Sequence, residues 1–152
     1  MAYGFKNTKE KAAMHVSFKP YTANGASYAD ATMNFSASVM DQMVDFGAGG
    51  SAYIAGCDMI IFRCSQNGGT QSKQLITRDI LLPGIDDTEA ETENGQSIGV
   101  YDTINTDGER LSVMLWIKKV SGVYKLSGSC IRYGITGSIS VDITAFGWNN
   151  EG

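Results

Sequence analysis

RLSVMLWIKKV, residues 110–120, decides the fold. Leu111, Val113, Leu115 and Ile117 fall on one side of an extended chain, and Ser112, Met114, Trp116 and Lys118 on the other, because successive side chains of a strand point to opposite faces. A period of two held over this length marks a half-buried antiparallel strand, with one face on a core and one facing outward. Ser121-Gly122 follows as a two-residue turn, and VYKLSGSCIRY (123–133) reads as the hairpin mate. Further on, Ile139, Val141, Ile143 and Ala145 alternate with Ser140, Asp142 and Thr144 across 138–146. Towards the N-terminus, 97–104, 72–82, 51–65 and 12–19 are also strand-like.

Turn signals separate these segments. They are Asn24-Gly25, Gly47 to Gly50, Asn67-Gly68-Gly69, Pro83-Gly84, Asn94-Gly95, Asp107-Gly108, Ser121-Gly122 and Gly134 to Gly137. From Pro83 onward they recur every 11 to 14 residues, too short a spacing for a helical crossover between parallel strands. AYIAGCDMIIF, within 51–65, is nearly continuous in apolar residues, which makes it a central strand buried on both faces. One stretch, 28–46, carries two periods. Met33, Phe35, Ala37 and Val39 alternate as in a strand, whereas Met33, Ala37, Met40 and Val44 recur as on a helix, with Asp30 and Gly47 as its caps. The expected fold is therefore all-β: a single antiparallel sandwich or barrel of about seven or eight strands, with one short helix in 28–46 as the open alternative. One domain spans 1–152, with 1–11 as a flexible basic arm and 83–97 as an acidic loop.

Composition agrees with this. The chain has 152 residues, 43% hydrophobic and only 18% charged, against about 25% charged in an average domain. Coiled coils and long solvated helices need more Glu, Lys and Arg than that. No run approaches the length of apolar residues that a spanning helix needs. MAYGFKNTKEK at the start is polar and has no apolar signal core, so synthesis in the cytoplasm is expected, with later incorporation into a virion or extracellular assembly left open. Cys57, Cys64 and Cys130 are odd in number and have no repeating spacing. Two of them stand seven apart in what reads as one strand, so they face opposite sides. Buried free thiols are expected rather than a disulfide framework.

Net charge is −4, which disfavours nucleic acid as the main partner. The charge is also segregated. Residues 1–20 hold Lys6, Lys9, Lys11 and Lys19 against Glu10, whereas 79–109 hold nine acids and no base.

Chemical motifs are few. GAGGSA (47–52) matches the letters of a dinucleotide fingerprint, but β-like sequence follows it and no acid stands about 20 residues on; it reads as a flexible connector. There is no P-loop and no G-x-S-x-G elbow. His15 is the only histidine, placed between Met14 and Val16 as a structural residue would be, and no cysteine spacing suits zinc. Asn34-Phe35-Ser36 forms a glycosylation sequon, which has no weight without a signal peptide. The acids Asp86, Asp87, Glu89, Glu91 and Glu93 read as a solvated run. No cofactor is called for. Calcium at the acidic run is the one option, since hard cations take clustered oxygens, although the EF-hand pattern is missing.

These exclusions leave binding modules and structural subunits rather than enzymes. The first expectation is a self-assembling structural subunit, of the kind found in virions, phage tails and capsids, or filaments. It would partner itself as a homo-oligomer or polymer and have no membrane contact. Its contacts would be the arm (Lys6, Lys9, Lys11), the acidic run (Asp86, Asp87, Glu89, Glu91, Glu93), Trp116, Trp148 and the outward strand faces at Met114, Ser140, Thr144 and Phe146. The alternative is a carbohydrate-binding, lectin-type β-domain that holds a glycan at Trp148, Asn149 and Asn150, where an aromatic face adjoins amide groups.

Overall fold

A computed structural model describes residues 18–37, 39–47, 49–69 and 75–150. Among them lie nine strands: β1 (Phe18–Pro20), β2 (Ala29–Phe35), β3 (Met40–Asp45), β4 (Met59–Gly69), β5 (Arg78–Leu82), β6 (Gln96–Ile104), β7 (Arg110–Val120), β8 (Val123–Tyr133) and β9 (Ile139–Asn150). Two short helices, α1 (Gly50–Gly56) and α2 (Asp87–Ala90), complete the set. The strands form two antiparallel sheets. In the first, β9 lies between β4 and the shared edge of β1 and β2, and β5 flanks β4. In the second the order is β3-β8-β7-β6. The expected all-β sandwich is the fold observed, with nine strands in place of seven or eight.

The alternating pattern builds the core. Leu111, Val113, Leu115 and Ile117 of β7 point inward, as do Tyr124, Leu126 and Cys130 of β8. They meet Met33 and Phe35 of β2, Ile60, Phe62 and Cys64 of β4, and Ile139, Val141, Ile143 and Ala145 of β9. Each fully buried Ile, Leu or Phe contributes about 1.5–3 kcal/mol. The hairpin β7–β8 turns at Ser121 and Gly122, which both hold positive φ (51° and 81°), as a two-residue primed turn requires.

The two sheets meet along both edges. On one, the Gln42 side chain of β3 accepts from the Asn34 backbone N–H and donates to its carbonyl (2.9 and 2.6 Å). On the other, the hydroxyls of Tyr101 and Thr103 in β6 donate to the Ile76 carbonyl (2.8 and 2.9 Å). α1 closes one end of the sandwich. Tyr53 donates from its hydroxyl to the Tyr21 carbonyl and accepts from the Gly147 N–H (3.2 and 3.0 Å), and Ser51 accepts from the Tyr124 N–H (2.9 Å). Gly147 must be glycine here, because a Cβ would stand 2.3 Å from the Met59 carbonyl oxygen.

Several segment assignments are corrected. Among the described residues, 28–46 hold no helix; they include β2 and β3, and the helical spacing of Met33, Ala37, Met40 and Val44 is coincidental. Only Met59–Gly69 of 51–65 is strand, because 50–56 turn as α1. An apolar run this short does not separate a buried helix from a buried strand. GAGGSA therefore opens a helix and is not a plain connector. β3 and β4 on either side of it lie in different sheets, so no dinucleotide-binding β-α-β unit exists there. Cys57 precedes β4 and does not lie within it. Segment 83–97 is not wholly loop: it contains α2 and the start of β6. His15, Lys6, Lys9, Lys11 and all of the arm lie outside the described residues.

Candidate functional site

The outer faces of the two sheets are built differently. On the first, outward polar side chains pair across the strands. Thr144 donates to Asp30 and Thr32 to Asp142 (2.8 Å each). Ser140 donates to Asn34, and Arg63 forks onto both oxygens of Asp79 (2.8 and 2.9 Å). Each of these pairs stands directly opposite in the strand register, where cross-strand interactions are strongest. Phe146 is shielded by the Arg63 guanidinium, 5.2 Å from its ring centre, and by Trp148 at 6.0 Å.

The second sheet also pairs polar side chains across its strands but exposes more apolar ones between them, whereas the first has one apolar row at Leu81, Ile61 and Phe146. In register, its outward rows are Ile104–Arg110–Tyr133, then Asp102–Ser112–Ile131, then Val100–Met114–Ser129–Asp41, then Trp116–Ser127–Met43, and last Lys118–Lys125–Asp45. Val39, just before β3, is 80% exposed, Tyr133 73%, Ile131 63% and Met114 51%. Val100, Ile104 and Met43 are exposed as well. Val39 also holds a left-handed backbone (φ 53°), a strained state for a β-branched residue and one that collects at recognition surfaces.

The two ends of this face differ. At the Arg110 end, the guanidinium forks onto Asp102 (3.0 and 2.7 Å) and Ser112 donates to the same carboxylate (2.6 Å). The bonds from Arg110, then that from Ser112, hold the Asp102 carboxyl down at about 2. Beside this pair lies a shallow cleft of about 400 Å³ lined by Arg110, Ser112, Ile131 and Tyr133. At the Lys118 end, a cleft of about 380 Å³ surrounds Trp116, with Asp41, Glu93, Asn94, Lys118, Ser127 and Ser129 as its walls.

The acidic run is partly spent on structure. Asp86 caps α2 by accepting from the Thr88 and Glu89 N–H groups (3.0 and 3.3 Å). Asp87 accepts from the Tyr124 hydroxyl and pairs with Lys119 at 3.3 Å. Glu89, Glu91 and Glu93 are exposed and have no side-chain partner among the described residues. No group of three or more His, Cys, Asp or Glu among the described residues is placed to hold a metal ion.

Trp148, Asn149 and Asn150 close β9. Trp148 packs on Phe146, the Asn149 amide donates to the Gly56 carbonyl, and the Asn150 N–H donates to Asp58 (2.7 Å). The three thiols are buried. Burial pushes Cys57 up to about 11 and Cys64 up to about 12, and it raises Cys130 as well, so none is a ready thiolate. Among the described residues no helix is long and apolar enough to cross a membrane.

Of the strand-face candidates, Met114 and Trp116 lie on the apolar face, whereas Ser140, Thr144, Phe146 and Trp148 lie on the paired one. The sequence pattern missed Val39, Met43, Val100, Ile104, Ile131 and Tyr133. Ile131 and Tyr133 occupy outward positions of the hairpin mate and were readable from its alternation. Val39 and Met43 were hidden by the two periods in 28–46. Comparison with protein-family models, with curated protein sequences and with solved structures finds no match.

Proposed function

We propose that the chain is a self-assembling structural subunit whose copies meet on the outer face of the second sheet. The carrying observation is the asymmetry between the faces. On the first, Leu81, Ile61 and Phe146 form one apolar row, and on the second, Val100, Ile104, Met114, Ile131 and Tyr133 lie exposed across three adjacent rows. Three rows about 6.7 Å apart, two crossing three strands and one crossing four at about 4.8 Å spacing, give a footprint of roughly 300 Å² in which Asp41, Asp102, Arg110, Ser112 and Ser129 alternate with the apolar side chains. Patches of that size occur on single chains and are often functional. This one falls short of the ~800 Å² per partner of a standard interface, so a second contact is required. The basic segment with Lys6, Lys9 and Lys11 and the acids Glu89, Glu91 and Glu93, which have no side-chain partner among the described residues, supply opposite charges on the same chain. Two different surfaces that complement each other join copies head to tail, which generates rings or filaments. That pattern suits a virion, tail or filament component.

Sedimentation velocity over a concentration series, with negative-stain microscopy of the concentrated sample, tests this. Species larger than one chain, growing with concentration and at low salt, are expected. Deletion of residues 1–11 should shift the distribution towards monomer, and added salt should weaken the intact chain but hardly change the deleted one. A single 16.3 kDa species at every concentration and salt would overturn the proposal.

A further inference from the structure

We propose that the cleft around Trp116 is a binding site for a neutral sugar ring, one that shares Asp41, Glu93 and Ser129 with the proposed assembly contacts. Its position argues first. Trp116 stands in register between Ser97 of β6 and Ser127 of β8, so its cross-strand neighbours are small and no large side chain opposes the indole in its own strand pair. The volume, about 380 Å³, falls within the roughly 300–1,000 Å³ of small-molecule sites.

The polar lining argues second. The side chains of Glu93, Asn94, Lys118 and Ser127 make no hydrogen bond within the described residues, and Asp41 accepts only from Ser129. Polar groups on the opposite sheet face are spent on one another, whereas here several converge unspent around one aromatic ring. Together they offer carboxylate acceptors, an ammonium donor, and an amide and a hydroxyl that do both. A pyranose presents the complement: hydroxyls that donate and accept around its rim, and an apolar C–H face that stacks on an indole. Two carboxylates against one ammonium disfavour an anionic ligand. A purely apolar ligand would leave the polar wall desolvated without partners.

The experiment uses the full chain as the Met114→Lys/Ile131→Lys double variant, so that association at the Arg110 end cannot cover the cleft. The chain has two tryptophans, so their indole N–H signals are followed by heteronuclear NMR. Methyl α-mannoside, methyl β-glucoside, methyl β-galactoside and N-acetylglucosamine are titrated in turn, with glycerol at matched concentration as the control. At least one glycoside should give a saturable shift at Trp116 that glycerol does not. The shift should weaken several-fold in Asn94→Ala and Glu93→Gln, which are exposed changes that leave the fold intact, and in Trp116→Ala, where only the Trp148 signal remains, that signal should not respond to the sugar. No saturable shift with any of the four sugars overturns the proposal. A shift confined to Trp148, or one that survives Asn94→Ala and Glu93→Gln unchanged, overturns it as well.

Discussion

The two sheets share one core and differ in what they show to solvent. The first sheet sets Asp30 against Thr144, Thr32 against Asp142, Asn34 against Ser140 and Arg63 against Asp79. These outward polar groups are satisfied within the chain, and its exposed apolar surface centres on the row of Leu81, Ile61 and Phe146. The second sheet sets Val100 beside Met114, Ser112 beside Ile131 and Ile104 beside Arg110. Its apolar groups have no internal partner, and burial by another molecule would gain about 25 cal/mol per Å². Inward alternation in both sheets has produced one largely finished face and one unfinished face. The lesson is that the inward residues of a strand specify the sandwich, and the outward residues specify what the sandwich does.

If that contrast is right, changes beneath both faces, on the finished face and on the unfinished face should have three different signatures. The largest loss of stability is expected beneath them. Phe62→Ala removes a fully buried ring and should cost about 3–5 kcal/mol, read as a lower midpoint in urea, with the preference for association unchanged in whatever remains folded. The finished face comes next. Asp30→Ala removes the acceptor for Thr144 and should cost roughly 0.2–1 kcal/mol, as an exposed cross-strand pair does, with no change in oligomeric mass. A change of mass in that variant would erase the distinction between the faces.

The smallest effect concerns the Arg110–Asp102 pair at the margin of the unfinished face. The folded-state carboxyl lies at about 2, below the ordinary value of about 3.9. A depressed carboxyl stabilises the folded state above its unfolded value and loses that contribution as pH falls through the folded one. NMR titration should place the Asp102 midpoint near pH 2. Arg110→Gln should raise it, because the guanidinium is the larger cause. An unchanged midpoint would mean that the pair does not form in solution. Since both side chains are solvent-exposed, little stability is at stake.

Much of the fold is legible in the sequence, for physical reasons. The hairpin 110–133 declares itself because one face is buried and the other is not, and because Ser121-Gly122 matches the turn that joins such strands. Two regions resist. β3 is an edge strand of six residues, only half-buried on its inner side, so its alternation is weak and a helical spacing competes. α1 has seven residues, too few for its period to show against the apolar run that continues into β4. The candidate surface is less legible than the fold. Met114 and Trp116 mark it on β7, but its extent depends on register, which brings Val100, Ile131 and Met43 alongside from three other strands. The acids of 86–93 look alike in the sequence. Only the structure separates Asp86 and Asp87, used for a cap and for a Tyr124–Lys119 contact, from Glu89, Glu91 and Glu93, which stay available.

The central claim is that the outer face of the second sheet joins copies of the chain. Light scattering coupled to size exclusion, at matched high concentration and low salt, tests it most directly on the natural chain and on Met114→Lys/Ile131→Lys. Both substituted side chains are exposed, so thermal stability should change by no more than about 0.5 kcal/mol per site. The natural chain should elute as a multiple of 16.3 kDa and the double variant as one chain. Equal masses for the two proteins, whether both single or both assembled, would contradict the claim.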